Sequence, residues 1–118
     1  MYVVMNSAHF EVFRDPADGL YYFRLIADED LGIVLISLSY LAKADCLDGI
    51  MAVKLHSPFD SNYERRDSPQ SYTFDLWAGN WEIIAHGGSY PTQSARDEAI
   101  EALKRDVAAA PVIQSSLE

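Results

Sequence analysis

Apolar residues recur along this chain with two different periods, and the switch from one to the other occurs twice. Phe10 to Arg14 and Tyr21 to Ala27 are rich in aromatic and branched residues. Between them stands Asp15-Pro16-Ala17-Asp18-Gly19, whose proline and glycine suit a turn, so the pair predicts a hairpin. Asp28 to Gly32 predicts the next turn, and Ile33 to Ser39, dense in Ile, Val and Leu, a third strand. After Tyr40 the period lengthens: Ala42, Cys46, Ile50 and Val53 recur at three- and four-residue steps, which sets them along one face of a helix that Pro58 ends.

The same order then returns. Tyr63 to Arg66, Tyr72 to Trp77 and Trp81 to His86 read as strands, joined by turns at Asp67 to Ser71 and Ala78 to Asn80. A helix follows from about Thr92 to Val107. Thr92 or Ser94 can cap it, Asp97 and Glu98 suit its positive end, and Lys104 and Arg105 its negative end. Its core face is expected to carry Ala99, Ile100, Leu103 and Val107. Pro111 to Ser115 is read as either a short edge strand or a loose tail.

Sliding the chain by 50 positions pairs Tyr22 with Tyr72, Ile33 with Ile83, Ser39 with Ser89, Tyr40 with Tyr90, Ile50 with Ile100, Ala52 with Ala102 and Lys54 with Lys104. A slip of one residue instead aligns Tyr21, Phe23, Leu25 and Ala27 with Tyr72, Phe74, Leu76 and Ala78, as a one-residue difference in the following turn requires. One unit has been used twice. The chain is therefore read as a single α+β domain over residues 1–118, with one repeat at about 9–57 and a second at about 62–115.

Several stretches together resemble the YegP-like family of unknown function. They are Phe10-Glu11-Val12-Phe13, Tyr22-Phe23-Arg24-Leu25, and Tyr40 followed by Lys43-Ala44, Cys46, Gly49-Ile50 and Val53-Lys54. In the second half they are Tyr63-Glu64-Arg65-Arg66, Tyr72-Thr73-Phe74-Asp75-Leu76, Asn80, Ile83-Ile84-Ala85 and Ser89-Tyr90. The resemblance implies tandem β-β-β-α(-β) units sharing one antiparallel sheet, with two helices on one face and terminal strands that can cross between units. It implies no activity. The chain departs from the family pattern where Asn-Gly usually joins the second and third strands, having Asp30-Leu31-Gly32 and Asn80-Trp81. It departs again at Ala99, where a Gly-Ile pair is usual.

Composition narrows the partners. A chain of 118 residues can bury one core without a disulfide or metal staple, and the lone Cys46 can form no internal bridge. No apolar run approaches a membrane span, and Met1 to Phe10 lacks the basic start and apolar centre of a signal peptide, so a cytoplasmic protein is expected. Eighteen acidic residues against nine basic ones give a formal charge of -9. That charge opposes approach to a phosphate backbone or an anionic membrane, so neither direct nucleic-acid nor membrane binding is expected.

The candidate chemistry is sparse. His9, His56 and His86 show no metal-ligand spacing, and Cys46 lies on the predicted core face with Asp45 and Asp48 disfavouring its thiolate. Asp28-Glu29-Asp30 is the densest acidic cluster but lacks the spacing of an EF-hand loop and reads as a solvated turn. Gly87-Gly88 lacks the pattern of a phosphate loop, and no serine sits in a nucleophile elbow. Neither a metal, a cofactor nor catalysis is expected. Tyr40 and Tyr90, at the same place in both units, are expected to pin each strand-to-helix junction, with a pair of symmetric ligand contacts as the alternative.

Three function classes remain. The first is a non-catalytic interaction module that binds a protein. The second is an acidic inhibitor or nucleic-acid mimic acting on a nucleic-acid enzyme. The third is a small-molecule-binding protein or enzyme, which needs a concave pocket. Strand alternation suggests where a partner would bind: if Phe23, Leu25, Phe74 and Leu76 face the helices, then Tyr22, Arg24, Ile26, Thr73, Asp75 and Trp77 point away, onto the open face. Because duplication already supplies both halves of the sheet, a monomer or weak homodimer is expected.

Overall fold

The computed structural model describes residues 8–27 and 32–114. Six strands and two helices follow the predicted order: β1 (His9–Arg14), β2 (Tyr21–Ile26), β3 (Ile33–Ser37), α1 (Lys43–His56), β4 (Tyr63–Ser68), β5 (Ser71–Trp77), β6 (Ile83–Gly87) and α2 (Gln93–Asp106). A short β7 (Val112–Gln114) ends the described residues, so 112–114 of the Pro111 to Ser115 segment form an edge strand. All seven strands form one sheet in the order β4-β5-β6-β3-β2-β1-β7.

Each repeat is a three-stranded antiparallel meander, and the two meet at their third strands. There β3 and β6 run antiparallel, with Leu35 opposite Gly87, Ile36 opposite His86 and Ser37 opposite Ala85. The repeats are thus related by a pseudo-twofold axis through the sheet centre. β7 departs from the expected all-antiparallel arrangement: it crosses from the second repeat to lie parallel to β1, Phe10 opposite Val112, and the main-chain N–H of Phe10 extends the pairing by donating to Pro111 (2.8 Å). The sheet is therefore mixed.

Register resolves which of the two alignments relates the repeats. Tyr21 and Tyr72 each pair with the junction tyrosine of their own repeat, Tyr40 and Tyr90, through two main-chain hydrogen bonds of 2.8–2.9 Å. Tyr21 therefore matches Tyr72, and the pairing of Tyr22 with Tyr72 is wrong; Tyr22 matches Thr73 and faces away from the helices. The extra residue lies between the second and third strands, where Ala27 bonds to Gly32 in one repeat and Ala78 to Glu82 in the other. Both repeats carry a register irregularity just before that turn.

The core lies between the sheet and the helices. Phe10, Val12, Phe23, Leu25, Leu35, Phe74, Leu76 and Ala85 from the strands meet Cys46, Ile50, Val53, Ile100, Leu103 and Val107, all essentially buried. Burying a large aliphatic or aromatic side chain contributes on the order of 2 kcal/mol, so this layer supplies the main drive to fold. Ala42 is not part of it: it is exposed, one residue before α1 begins, because the chain is still extended there. Gly49, between Cys46 and Ile50, is the further buried residue of the helix face. Thr92 caps α2, its hydroxyl accepting from the Ala95 N–H (3.0 Å).

Two turns differ from expectation. The loop predicted over Asp67 to Ser71 shortens to Pro69-Gln70, with Ser68 paired to Ser71 and Gln70 at φ 66°. Trp81, predicted to open a strand, lies in the turn instead. Its N–H donates to Ala78 (3.2 Å) and its φ is 66°, so β6 starts two residues later.

Candidate functional site

The six residues expected on the open face do point away from the helices, but they form two patches. β6 and β3 separate β5 from β2. Three strand spacings put about 14 Å between the patches. Under the pseudo-twofold axis Tyr22 matches Thr73, Arg24 matches Asp75 and Ile26 matches Trp77.

The first patch is closed on itself. Arg24 donates to Glu11 Oε1 through both Nε (3.0 Å) and Nη2 (2.7 Å), and its guanidinium lies 4.8 Å from the centre of the Phe13 ring. Phe13 in turn stacks on Tyr22 at 5.7 Å, and the Tyr22 hydroxyl donates to Asp18 (2.6 Å). The Arg24 guanidinium holds the Glu11 carboxyl below its ordinary value. The Tyr22 ring and the Arg24 guanidinium thus already have partners within the repeat.

The second patch is a chain of charges leading to an aromatic groove. Asp75, buried at 8 % exposure, forms an ion pair with Arg66 Nη2 (3.2 Å) and lies 2.6 Å from His86 Nδ1. Arg66 also bonds Glu64 Oε1 (2.9 Å), holding that carboxyl below its ordinary value, and the Trp77 indole N–H donates to the same oxygen (3.3 Å). Thr73 sits beside Arg66 across the β4–β5 pair.

Beyond Trp77 the surface falls into a cavity of about 390 Å³ lined by Ser61, Asn62, Tyr63, Glu64, Trp77, Ala78, Gly79 and Trp81. Trp81 is 86 % exposed and holds left-handed backbone, a conformation that costs a residue with a Cβ roughly 1–2 kcal/mol. The groove floor is firm. Tyr63 is buried, its hydroxyl donating to the Ser57 carbonyl (2.7 Å), and burial pushes its phenol well above the ordinary range. The Asn62 side chain is fixed by donating to the His56 carbonyl (3.0 Å).

Tyr40 and Tyr90 lie at the strand-to-helix junctions, where the sequence puts them. Each ring stacks on the core phenylalanine of its repeat, Tyr40 on Phe23 at 6.3 Å and Tyr90 on Phe74 at 6.4 Å. Cys46 is buried, and burial pushes its thiol up to about 11, which removes the thiolate at neutral pH. His9 lies 3.4 Å from Glu11, and His56 Nδ1 lies 2.9 Å from the Ala52 carbonyl. No group of three metal-ligating side chains is found among the described residues, and Asp28-Glu29-Asp30 lies outside them.

The groove is what sequence reasoning misses. Trp81 is conspicuous as the residue standing where Asn-Gly is usual, but its aromatic character reads as the start of a strand; Glu64 and Tyr63 give no signal beyond strand periodicity. Their convergence depends on the Ala78–Trp81 turn folding back over the start of β4.

Comparison with known proteins agrees with this architecture. The family described as a domain of unknown function, DUF1508, matches twice, over residues 17–64 and 67–114, and the chain belongs to it. A relative from Stutzerimonas stutzeri, named a UPF0339 protein in the 5' region of a ptx operon, is 37% identical over 92% of this chain and 96% of its own. The UPF0339 protein YegP of Yersinia pestis is 30% identical over 86% of this chain and 90% of its own. Among solved structures, E. coli yegP, a protein of unknown function, superposes with a TM-score of 0.81 at 27% identity, covering 96% of both chains. A UPF0339 protein from Shewanella oneidensis gives the same TM-score at 23% identity over 92% of this chain and 91% of that one, and speaks to the fold alone.

Proposed function

We propose that this DUF1508 chain is a non-catalytic interaction module whose partner is a protein, engaged on the open sheet face and at the groove where that face ends. Trp81 carries the reading. A large apolar side chain is held in solvent on backbone that disfavours it, beside a second tryptophan and a cavity. Folding gains nothing from that arrangement, whereas tryptophan, tyrosine and arginine are the residues that dominate binding at protein interfaces.

The chemistry of the remaining groups supports a binding role over a catalytic one. The Asp75–His86 pair has the form of an oriented base, yet His86 makes no hydrogen bond to a serine, threonine or cysteine among the described residues. Cys46, the one thiol, is buried and protonated. No helix among the described residues is long and apolar enough to cross a membrane. The proposal includes a cytoplasmic location and a monomeric or weakly dimeric state. The net charge of -9 favours the second reading, an acidic inhibitor or mimic acting on a nucleic-acid enzyme. A small-molecule ligand is the third, since the groove falls within the ~300–1,000 Å³ range of ligand pockets.

Capture from the native host's lysate at low salt separates these. The wild-type chain is expected to retain one protein, and the Tyr22→Ala/Trp77→Ala variant to lose it while its circular dichroism stays unchanged. Normal capture by the folded double variant removes the open face as the site. A captured nucleic-acid enzyme released steeply by salt favours the mimic instead.

A further inference from the structure

The groove's lining has a chemical bias that its size alone does not explain. It presents two indoles and one carboxylate, together with Ser61 and Asn62, and not one basic side chain. Both contacts made to the Glu64 carboxylate, from Arg66 and from Trp77, fall on Oε1. Oε2 carries no partner among the described residues, and the Glu64 side chain is nearly half exposed. Indole faces attract cations through their quadrupole, and do so most strongly when a carboxylate stands at the same cavity and water is partly excluded.

We propose that the groove bounded by Trp77, Trp81 and Glu64 receives a cationic side chain, arginine or lysine, from a partner polypeptide. The inference deepens the interaction-module reading and rests on it for the partner, though not for the cation. Three observations converge. The cavity of about 390 Å³ is large enough for an extended alkyl chain ending in a guanidinium or ammonium group. The apolar walls suit the methylene stem, and the Glu64 Oε2 atom suits the charged head. The charge of the whole chain, -9, draws a basic segment toward any part of its surface, and the indoles then select where it docks. Arg66 is held away from the cavity by bridging Glu64 and Asp75, so the protein's own nearest guanidinium does not fill the place.

The test uses two probe peptides, acetyl-Ala-Arg-Ala-Arg-Ala-amide and the same peptide with neutral citrulline in place of both arginines, titrated into ¹⁵N-labelled protein. The indole N–H signals of Trp77 and Trp81 are expected to shift with the arginine peptide, and citrulline to bind at least about fivefold more weakly. Trp81→Gly, which keeps a residue suited to the left-handed backbone, is expected to remove the response at Trp77. Glu64→Gln is expected to weaken binding severalfold.

Equal binding of the citrulline peptide, an undiminished response in Trp81→Gly, or no shift at either indole overturns the cation site. The partner reading fails separately. If the arginine peptide binds with the stated preference but the wild-type chain captures no protein, the groove is a cation site without a protein partner. If capture is lost in Tyr22→Ala/Trp77→Ala yet intact in Trp81→Gly and Glu64→Gln, the partner binds the open face alone, and both the groove's part in the module reading and this inference fall.

Discussion

Where α1 meets the sheet it presents Cys46, and at the matching position α2 presents Arg96; both side chains are buried completely. Around Cys46 the surroundings are apolar. Around Arg96 they are polar: its guanidinium pairs with Asp67 and with Asp97 (2.9 Å), donates to the carbonyls of Arg66 (3.4 Å) and Thr73 (3.3 Å), and lies 5.8 Å from the Tyr72 ring centre. Asp97 also reaches Arg65 (3.3 Å), which bonds Asp60 (2.8 Å). Strand register explains why only one repeat can hold such a network. Asp67 stands opposite Tyr72, and the residue opposite Tyr21 in the first repeat is Arg14, of the opposite charge. The two repeats thus share a backbone, while one holds a small apolar side chain where the other holds a buried guanidinium paired with half-exposed carboxylates.

Exchanging these residues tests the comparison most severely. Cys46→Arg buries a guanidinium with no carboxylate at the position of Asp67 and with Arg14 there instead, which is expected to cost more than ~4 kcal/mol. Arg96→Cys empties a side-chain volume and removes two long hydrogen bonds to carbonyls already in the β4–β5 ladder. Its cost is expected to be smaller, about 2–3 kcal/mol, because Asp67 and Asp97 are half exposed and water can solvate them. Urea denaturation midpoints read both, and adding Arg14→Asp to Cys46→Arg should recover part of the loss. If Cys46→Arg is tolerated as well as Arg96→Cys, the repeats are interchangeable and the comparison is wrong.

A second difference concerns where each repeat makes room for its stacked aromatic pair. In the first, the space is on the helix: a Cβ at Gly49 would stand 2.8 Å from Tyr40 Cζ and 3.0 Å from Phe23 Cε2. In the second it is on the strand, where a Cβ at Gly87 would stand 2.6 Å from Phe74 Cδ1. The complementary positions hold Ala99 and Ser37, so each repeat has its glycine where the other does not. Ser37 also uses its hydroxyl, accepting from the Phe23 N–H (2.8 Å). Gly87→Ala meets a buried ring that cannot yield, and is expected to cost about 2–3 kcal/mol. Gly49→Ala meets the half-buried Tyr40 and gains roughly 1 kcal/mol of helix propensity, so its net cost is expected to be about 1 kcal/mol. The reverse order in thermal melts would mean the two aromatic pairs lean the same way.

The smallest expected effect is at the left-handed turn residues. Gly32 has φ 63°, and a methyl group added there would meet nothing within 4 Å, so Gly32→Ala isolates backbone strain and should lose about 1 kcal/mol. Trp81→Gly should move stability the other way, by about 0.5–1 kcal/mol, by removing that strain. A Trp81→Gly chain that is instead clearly destabilised would show that the indole packs for stability rather than standing free for a partner.

Much of this architecture is legible in the residues alone. The switch from strand to helix period after Tyr40 and again after Tyr90 locates the elements, and the matching of Phe23 with Phe74 and of Tyr40 with Tyr90 reveals the duplication. These signals are local, written in spacing and turn chemistry, and they survive any arrangement of the elements in space. Alternation along β2 and β5 likewise assigns Tyr22, Arg24, Ile26, Thr73, Asp75 and Trp77 to one face.

Other features depend on residues far apart in sequence being brought together. Its spacing from Ile100, Leu103 and Val107, and its match to Cys46, put Arg96 on the core face, but nothing near it in sequence supplies most of the partners a buried guanidinium needs. Its acceptors lie on β4 and β5, some 23 to 30 positions away, and only the packed sheet places them under α2. The parallel pairing of β7 with β1 joins the two ends of the described chain, and no periodicity encodes a partner or a direction. The division of the open face into two patches follows from β3 and β6 lying between them, a consequence of strand order. The groove arises in the same way. Trp77 and Trp81 are neighbours in the chain, but Tyr63 and Glu64 reach them only because β4 pairs beside β5, and the left-handed turn at Trp81 turns one indole outward. Periodicity determined which residues form strands and helices; long-range pairing decided which of them share a surface.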